Sequence, residues 1–300
     1  MTLVIAGHNS NAPLKDSGLF VAGDSAITAP GSNGKKTLLG GFRKSYEVPI
    51  KVWQPYFNGP YFHAYNKTYY ESSCFIAIAG STLTAQHVLN TIYEHLTKLR
   101  ISYEYDQYGS NGKYSIIRHC QRNILESGQG VDQWDDELFI ERDYDGLVSA
   151  DVIAKQIEYS IRESLRSAKE YKLDENSLRG MFTEFAAGIY CPKDKLHRLF
   201  TYRMKLEISD EGLYELKIDA NEVPKGNVAV LGMRKQFEER AQSILSECIS
   251  KGDSPAERIF EFINEAIDEV RSSGGGEIDR PSYLKNFEGG ILEKLAFKPR

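Results

Sequence analysis

The chain opens Met1-Thr2-Leu3-Val4-Ile5-Ala6-Gly7, a hydroxyl residue followed at once by an apolar run. Residues 3 to 6 read as a buried strand. If Met1 is removed, Thr2 becomes the N-terminus, and one residue carries both a hydroxyl nucleophile and a free α-amine. An α-amine has a reference pKa of about 7.7 to 8.0. Part of it is therefore neutral near neutral pH and able to take the hydroxyl's proton. An N-terminal threonine can activate its own weak nucleophile in this way.

Three later segments extend the pattern. Gly18-Leu19-Phe20-Val21-Ala22-Gly23-Asp24-Ser25 is an apolar strand ending in Asp-Ser, Val48-Pro49-Ile50-Lys51-Val52-Trp53 carries a lysine among apolar residues, and Cys74-Phe75-Ile76-Ala77-Ile78-Ala79-Gly80-Ser81 ends in Ala-Gly before a helix. This order resembles the proteasome β-subunit family of N-terminal-nucleophile (Ntn) hydrolases and its bacterial relatives. The likeness is dense over residues 2–28 and 50–100 and loose elsewhere.

The resemblance implies an α+β fold, a four-layer α-β-β-α sandwich. It also implies a threonine-type peptidase or amide hydrolase working in a homo-oligomer, with an ATPase partner left unspecified. Carried over by position, Thr2 is the nucleophile, Asp24 is the motif aspartate, Lys51 is the catalytic lysine and Gly80 offers a backbone donor to the substrate carbonyl. Ile27 and Ile78 match positions lining the first specificity pocket. A lysine beside Thr2 favours the deprotonated hydroxyl and lowers the amine pKa by like-charge repulsion. Lys44 is the rival lysine; Lys51, flanked by Ile50 and Val52, is preferred over the more polar setting Arg43-Lys44-Ser45.

The family's late Ser and Asp have weaker counterparts. Val230-Leu231-Gly232-Met233 has no hydroxyl, Ser272 or Ser273 is left to fill the Ser role, and no Asp stands at the expected spacing. That departure keeps open a non-catalytic scaffold or assembly protein of the same fold, and the long inserted loops, which suit a recessed pocket, keep open an Ntn hydrolase of small amides.

Composition narrows the partners. A net charge of −5 over 300 residues, without a dense Lys/Arg block, argues against nucleic acid. The four cysteines are widely spaced and contain no CxxC pair, which suits reduced core thiols rather than a disulfide framework or metal site. No cofactor is implied. No apolar stretch approaches membrane-spanning length and no secretory signal is seen, so a cytoplasmic protein acting on peptide or protein is expected. Gly31-Ser32-Asn33-Gly34-Lys35-Lys36-Thr37 misses the phosphate-loop spacing, because Ala29 takes the first Gly position and Lys36 the hydroxyl position.

Elsewhere the chain reads as one proteasome-like domain over residues 1–300, with loop insertions near 29–45, 55–73 and 103–147. Helical spacing marks 85–99, with Ser81 or Thr82 as cap, and a helix capped by Ser149. A short helix is expected near 116–125. Strands are expected over 185–191, 198–208, 214–219 and 227–232. Two helices follow: 235–250, and one from Ser254 with Pro255 at its first position and Glu257 completing a capping box. The tail beyond Pro281 carries no clear element.

Overall fold

The computed structural model describes residues 2–9, 17–31, 34–105, 112–128, 130–135 and 137–300. Met1, whose removal the terminal-amine chemistry requires, lies outside the described residues, as do most of the polar connection 8–17 and residues 32–33 of the glycine-rich stretch.

The first half contains β1 (Leu3–His8), β2 (Leu19–Asp24), β3 (Ile27–Gly31), β4 (Gly34–Leu39), β5 (Ser45–Asn58), β6 (Tyr61–Gly80), α1 (Thr82–Thr97), β7 (Leu99–Tyr105), β8 (Gly112–Arg118) and α2 (Ile124–Ser127). The second half contains α3 (Ala150–Glu170), α4 (Glu175–Gly180), β9 (Thr183–Cys191), β10 (Leu196–Ile208), β11 (Tyr214–Val223), β12 (Val228–Gly232), α5 (Arg234–Lys251), α6 (Pro255–Ser272), β13 (Ser282–Glu288) and β14 (Ile291–Lys298). One sheet has the order β12-β1-β2-β13-β14 and a larger one β11-β10-β9-β6-β5-β7-β8, while β3 and β4 form a separate ribbon.

The apolar runs explain the layering. Successive side chains of a strand point to opposite faces, so a run without polar interruption suits a strand covered on both. Leu3 and Ile5 pack toward α5 and α6, whereas Val4 and Ala6 meet Phe75, Ala77 and Ala186 of the larger sheet. On that sheet, Ile76 and Ile78 turn instead toward α1 and α3. The fold is thus mixed α and β, with an apolar cluster between two large sheets and another on the outer face of each. No described helix is long and apolar enough to cross a membrane.

Several expected loops are strands. Residues 55–73 belong to the long hairpin of β5 and β6, and 29–39 belong largely to the β3–β4 ribbon. Pro55 and its neighbours suggested a loop, but Pro55 sits at a shift in register, where a missing N–H is tolerated. The aromatics there are good strand formers; Phe57 packs 6.0 Å from Phe62 and 4.9 Å from Phe139, centroid to centroid. The short helix near 116–125 reduces to α2, because Ile116 and Ile117 pair in β8. Ser254 does stand at the start of α6, but its side chain makes no capping hydrogen bond. The tail is not irregular: β13 pairs along β2, Tyr283 opposite Gly23. Cys74, Cys191 and Cys248 are buried as expected, whereas Cys120 is exposed.

Phe75 is fully buried between the sheets, 5.4 Å from the Phe287 ring. It lies where a Cβ on Gly188 would come within 2.0 Å, so the ring occupies space that only glycine leaves open. Phe75→Ala should therefore destabilise the protein by about 3–5 kcal/mol, read as a lower urea midpoint. A loss below about 1 kcal/mol would contradict close packing of the sheets at this point.

Candidate active site

Asp24 ends β2 with no exposure to solvent. A carboxylate there needs donors on every side. Oδ1 accepts the Leu3 N–H at 2.9 Å, Oδ2 accepts the Ala26 N–H at 2.9 Å, and Lys44 Nζ donates to both oxygens at 2.8 Å. The aspartate therefore grips the residue after Thr2, its own turn and a lysine from the other sheet's side. Ser25 secures the segment that delivers this lysine. Its Oγ accepts the Gly41 N–H at 3.2 Å and donates to the Pro281 carbonyl, while its carbonyl accepts the Phe42 N–H at 3.0 Å.

Lys44 is 3% exposed. Burial pushes its pKa down from the ordinary lysine value, with the Asp24 charge and hydrogen bonds pulling back up. Its native pKa therefore lies under the unfolded one. Between the two, the unfolded chain binds the extra proton, so this group's contribution to stability grows as pH rises through that window.

The lysine that meets Asp24 is Lys44 and not the expected Lys51. Lys51 pairs with Glu71, directly across the β5–β6 hairpin, at 2.8 Å, and is 35% exposed. Its apolar neighbours misled for a simple reason. Residues before and after a strand position point to the opposite face, so Ile50 and Val52 report burial of that face and not of Lys51. Lys44 precedes β5 and lies level with Ile78, whose N–H it binds through its carbonyl at 2.9 Å. Lys51 is seven residues further along, roughly 23 Å at about 3.3 Å per residue.

A cleft of about 580 Å³ gathers Thr2, Ile27, Lys44, Ile78 and Gly80 on its walls. Thr2 is 6% exposed. Its carbonyl accepts the Met233 N–H at 2.9 Å, and Gly232 lies so close that a Cβ there would come 1.9 Å from the same oxygen. Gly232 also has φ +88°, a second reason for glycine at this position. Gly80 has φ +125°, with the Phe182 carbonyl 2.3 Å from where its Cβ would be, so β6 presses against the start of β9 there. Ser272 and Ser273 do not line the cleft. Each donates its hydroxyl to a carbonyl of α6, Glu269 and Val270 respectively, because Ser272 ends the helix and Ser273 caps it, where carbonyls run short of backbone partners.

The sequence reading missed the far wall. Arg179, Phe182, Thr183 and Glu184 complete it, with Gly232. Glu184 Oε2 accepts the Gly232 N–H at 2.7 Å, and Oε1 accepts from Arg234 at 3.4 Å. The available signal was an acid entering the apolar run Phe185-Ala186-Ala187-Gly188-Ile189.

No family model matches the chain, and no curated protein matches it. Among solved structures it is similar to Anbu (ancestral beta-subunit) from Yersinia bercovieri, at 14% identity over 98% of this chain and 81% of that chain, with a TM-score of 0.43. That likeness is too distant to bear on activity, substrate or assembly.

The two lysines predict opposite mutational outcomes. Lys44→Ala leaves Asp24 as a buried, unbalanced carboxylate and should cost about 3–5 kcal/mol. Lys51→Ala removes an exposed pair worth about 0–1 kcal/mol. Equilibrium denaturation of the two variants side by side checks the assignment, and equal losses would reject it.

Proposed function

We propose that the chain is a threonine-type N-terminal-nucleophile hydrolase of proteasome-like, four-layer α-β-β-α architecture. It cleaves peptide or other amide bonds in the cytoplasm and works as an assembly of several copies. The observation that carries the reading is the buried Lys44–Asp24 pair, whose lysine lines the same cleft as Thr2.

In this reading Met1 is removed and the neutral α-amine of Thr2 accepts the hydroxyl proton. Oγ attacks the amide carbon, and the Lys44 charge favours the developing alkoxide. An N–H at Gly80 faces the tetrahedral oxyanion, a donor whose loss typically costs about 10² to 10³ in rate. The C–N bond breaks as the amine returns the proton to the leaving nitrogen, and water then hydrolyses the Thr2 ester. Ile27 and Ile78 suit the side chain before the scissile bond to apolar or small groups.

A second reading is a non-catalytic scaffold of the same fold. It is favoured by Ser272 and Ser273 being bonded within their own helix end, so neither hydroxyl supports the cleft.

The intact mass of the native protein should lack Met1. Thr2→Ala should fold and assemble as wild type, since it removes only a hydroxyl and a methyl. It should lose hydrolysis across a panel of peptides and small amides, together with labelling by electrophiles that trap a terminal threonine. Retention of Met1, or equal turnover by wild type and Thr2→Ala, would reject Thr2 as nucleophile and leave the scaffold reading.

A further inference from the structure

A free Thr2 terminus brings an ammonium into a cleft that already holds Lys44, and something must hold that group in place. Asp24 is not available. Both of its oxygens are occupied by Lys44 Nζ, and they also take the Leu3 and Ala26 N–H groups. Among the described residues lining the cleft, the carboxylate is Glu184.

Glu184 sits at the right element. It lies near the start of β9, directly across from Ala79 and next to the Gly80–Thr183 pair that forms the cleft rim. Its Oε2 takes the N–H of Gly232, the residue that packs against the Thr2 carbonyl and stands opposite Leu3 in the β1–β12 ladder. One side chain thus ties the rim of the larger sheet to the strand end that holds Thr2. A carboxylate has about four acceptor positions. Glu184 accepts a short bond from Gly232 and a long one, 3.4 Å, from Arg234, so it has capacity left.

We propose that Glu184 is the positioning residue for the Thr2 α-amine, accepting from it across the cleft and setting the pH at which it becomes a base. The inference rests on the proposed function and assigns it a group that the sequence resemblance left without a counterpart. The charged groups around it are known. Arg203 of β10 lies 3.9 Å from Glu184 and 3.5 Å from Glu238 of α5; Arg234 of α5 bonds to Glu238 at 3.1 Å; Arg179 of α4 is paired with Glu175. This network balances two carboxylates with two guanidiniums, so neutralising Glu184 leaves net positive charge beside the amine. Lys44 adds to that repulsion.

The test reads the amine itself. Trace acetylation of the full chain across pH 5 to 10, followed by mass analysis of the N-terminal peptide, gives the titration midpoint of the Thr2 amine. Glu184→Gln keeps an oxygen for the Gly232 N–H while removing the charge. It should lower the midpoint by about half a pH unit or more and move the acid limb of hydrolysis down with it. Glu238→Gln, one step removed, should move the midpoint less. If Glu184→Gln does not fold, Glu184→Asp, which withdraws the charge by one methylene, should shift it in the same direction by a smaller amount. A midpoint indifferent to residue 184, or as sensitive to residue 238, overturns this inference alone. An N-terminal peptide that still begins with Met1 overturns the proposed function and this inference with it.

Discussion

The Lys44–Asp24 pair is the contact on which the cleft depends. Removing two ions from water costs several kcal/mol each, and only close geometry with added hydrogen bonds offsets it. Here Nζ lies 2.8 Å from both oxygens, and two backbone N–H groups complete the carboxylate. The pair also joins the two sheets. Asp24 ends a strand of the smaller one, and Lys44 leads into a strand of the larger. A slip of either strand by one residue would strand a charge in the interior. The same contact therefore sets the register of the two sheets near Thr2.

Around that contact the packing is nearly all apolar. The cluster between the sheets consists of small and medium side chains, with Phe75 and Phe287 as its large members. Alanines such as Ala77, Ala79 and Ala186 let the sheets approach closely, and Gly188 makes room for Phe75. Close approach brings the ends of β1, β6, β9 and β12 together at one place. The cleft opens there, which is why residues distant in sequence, Thr2, Gly80, Glu184 and Gly232, share its walls. At this place the Gly232 N–H is taken up by Glu184 of the opposite sheet.

Much of this was legible in the sequence. Apolar runs such as 3–6, 19–22 and 74–79, with helices at 82–97 and 255–272, point to strands covered on both faces. Thr2, Asp24 and Gly80 stand at strand ends, where a strand meets a turn. The tail was less legible because Lys285 and Asn286 break the apolar pattern of β13, although Tyr283, Leu284 and Phe287 all turn inward. The long hairpin arm was hidden for a related reason. Its Pro, Asn and Gly residues read as loop formers, yet it is held by ring contacts to Phe139 and its neighbours, far away in sequence.

By itself the sequence determined which residues had to be buried in strands, and it brought forward the hydroxyl, aspartate and glycine of the candidate site. Tertiary structure decided which lysine meets Asp24 and which carboxylate lines the cleft. The reason is physical. Local pattern reports the burial of a strand's faces, but the neighbour of a charge is set by the register between strands and the stacking of sheets. Lys44 and Lys51 differ by seven positions on one strand's path, and their level along β6 and the face they point to separate the buried one from the exposed.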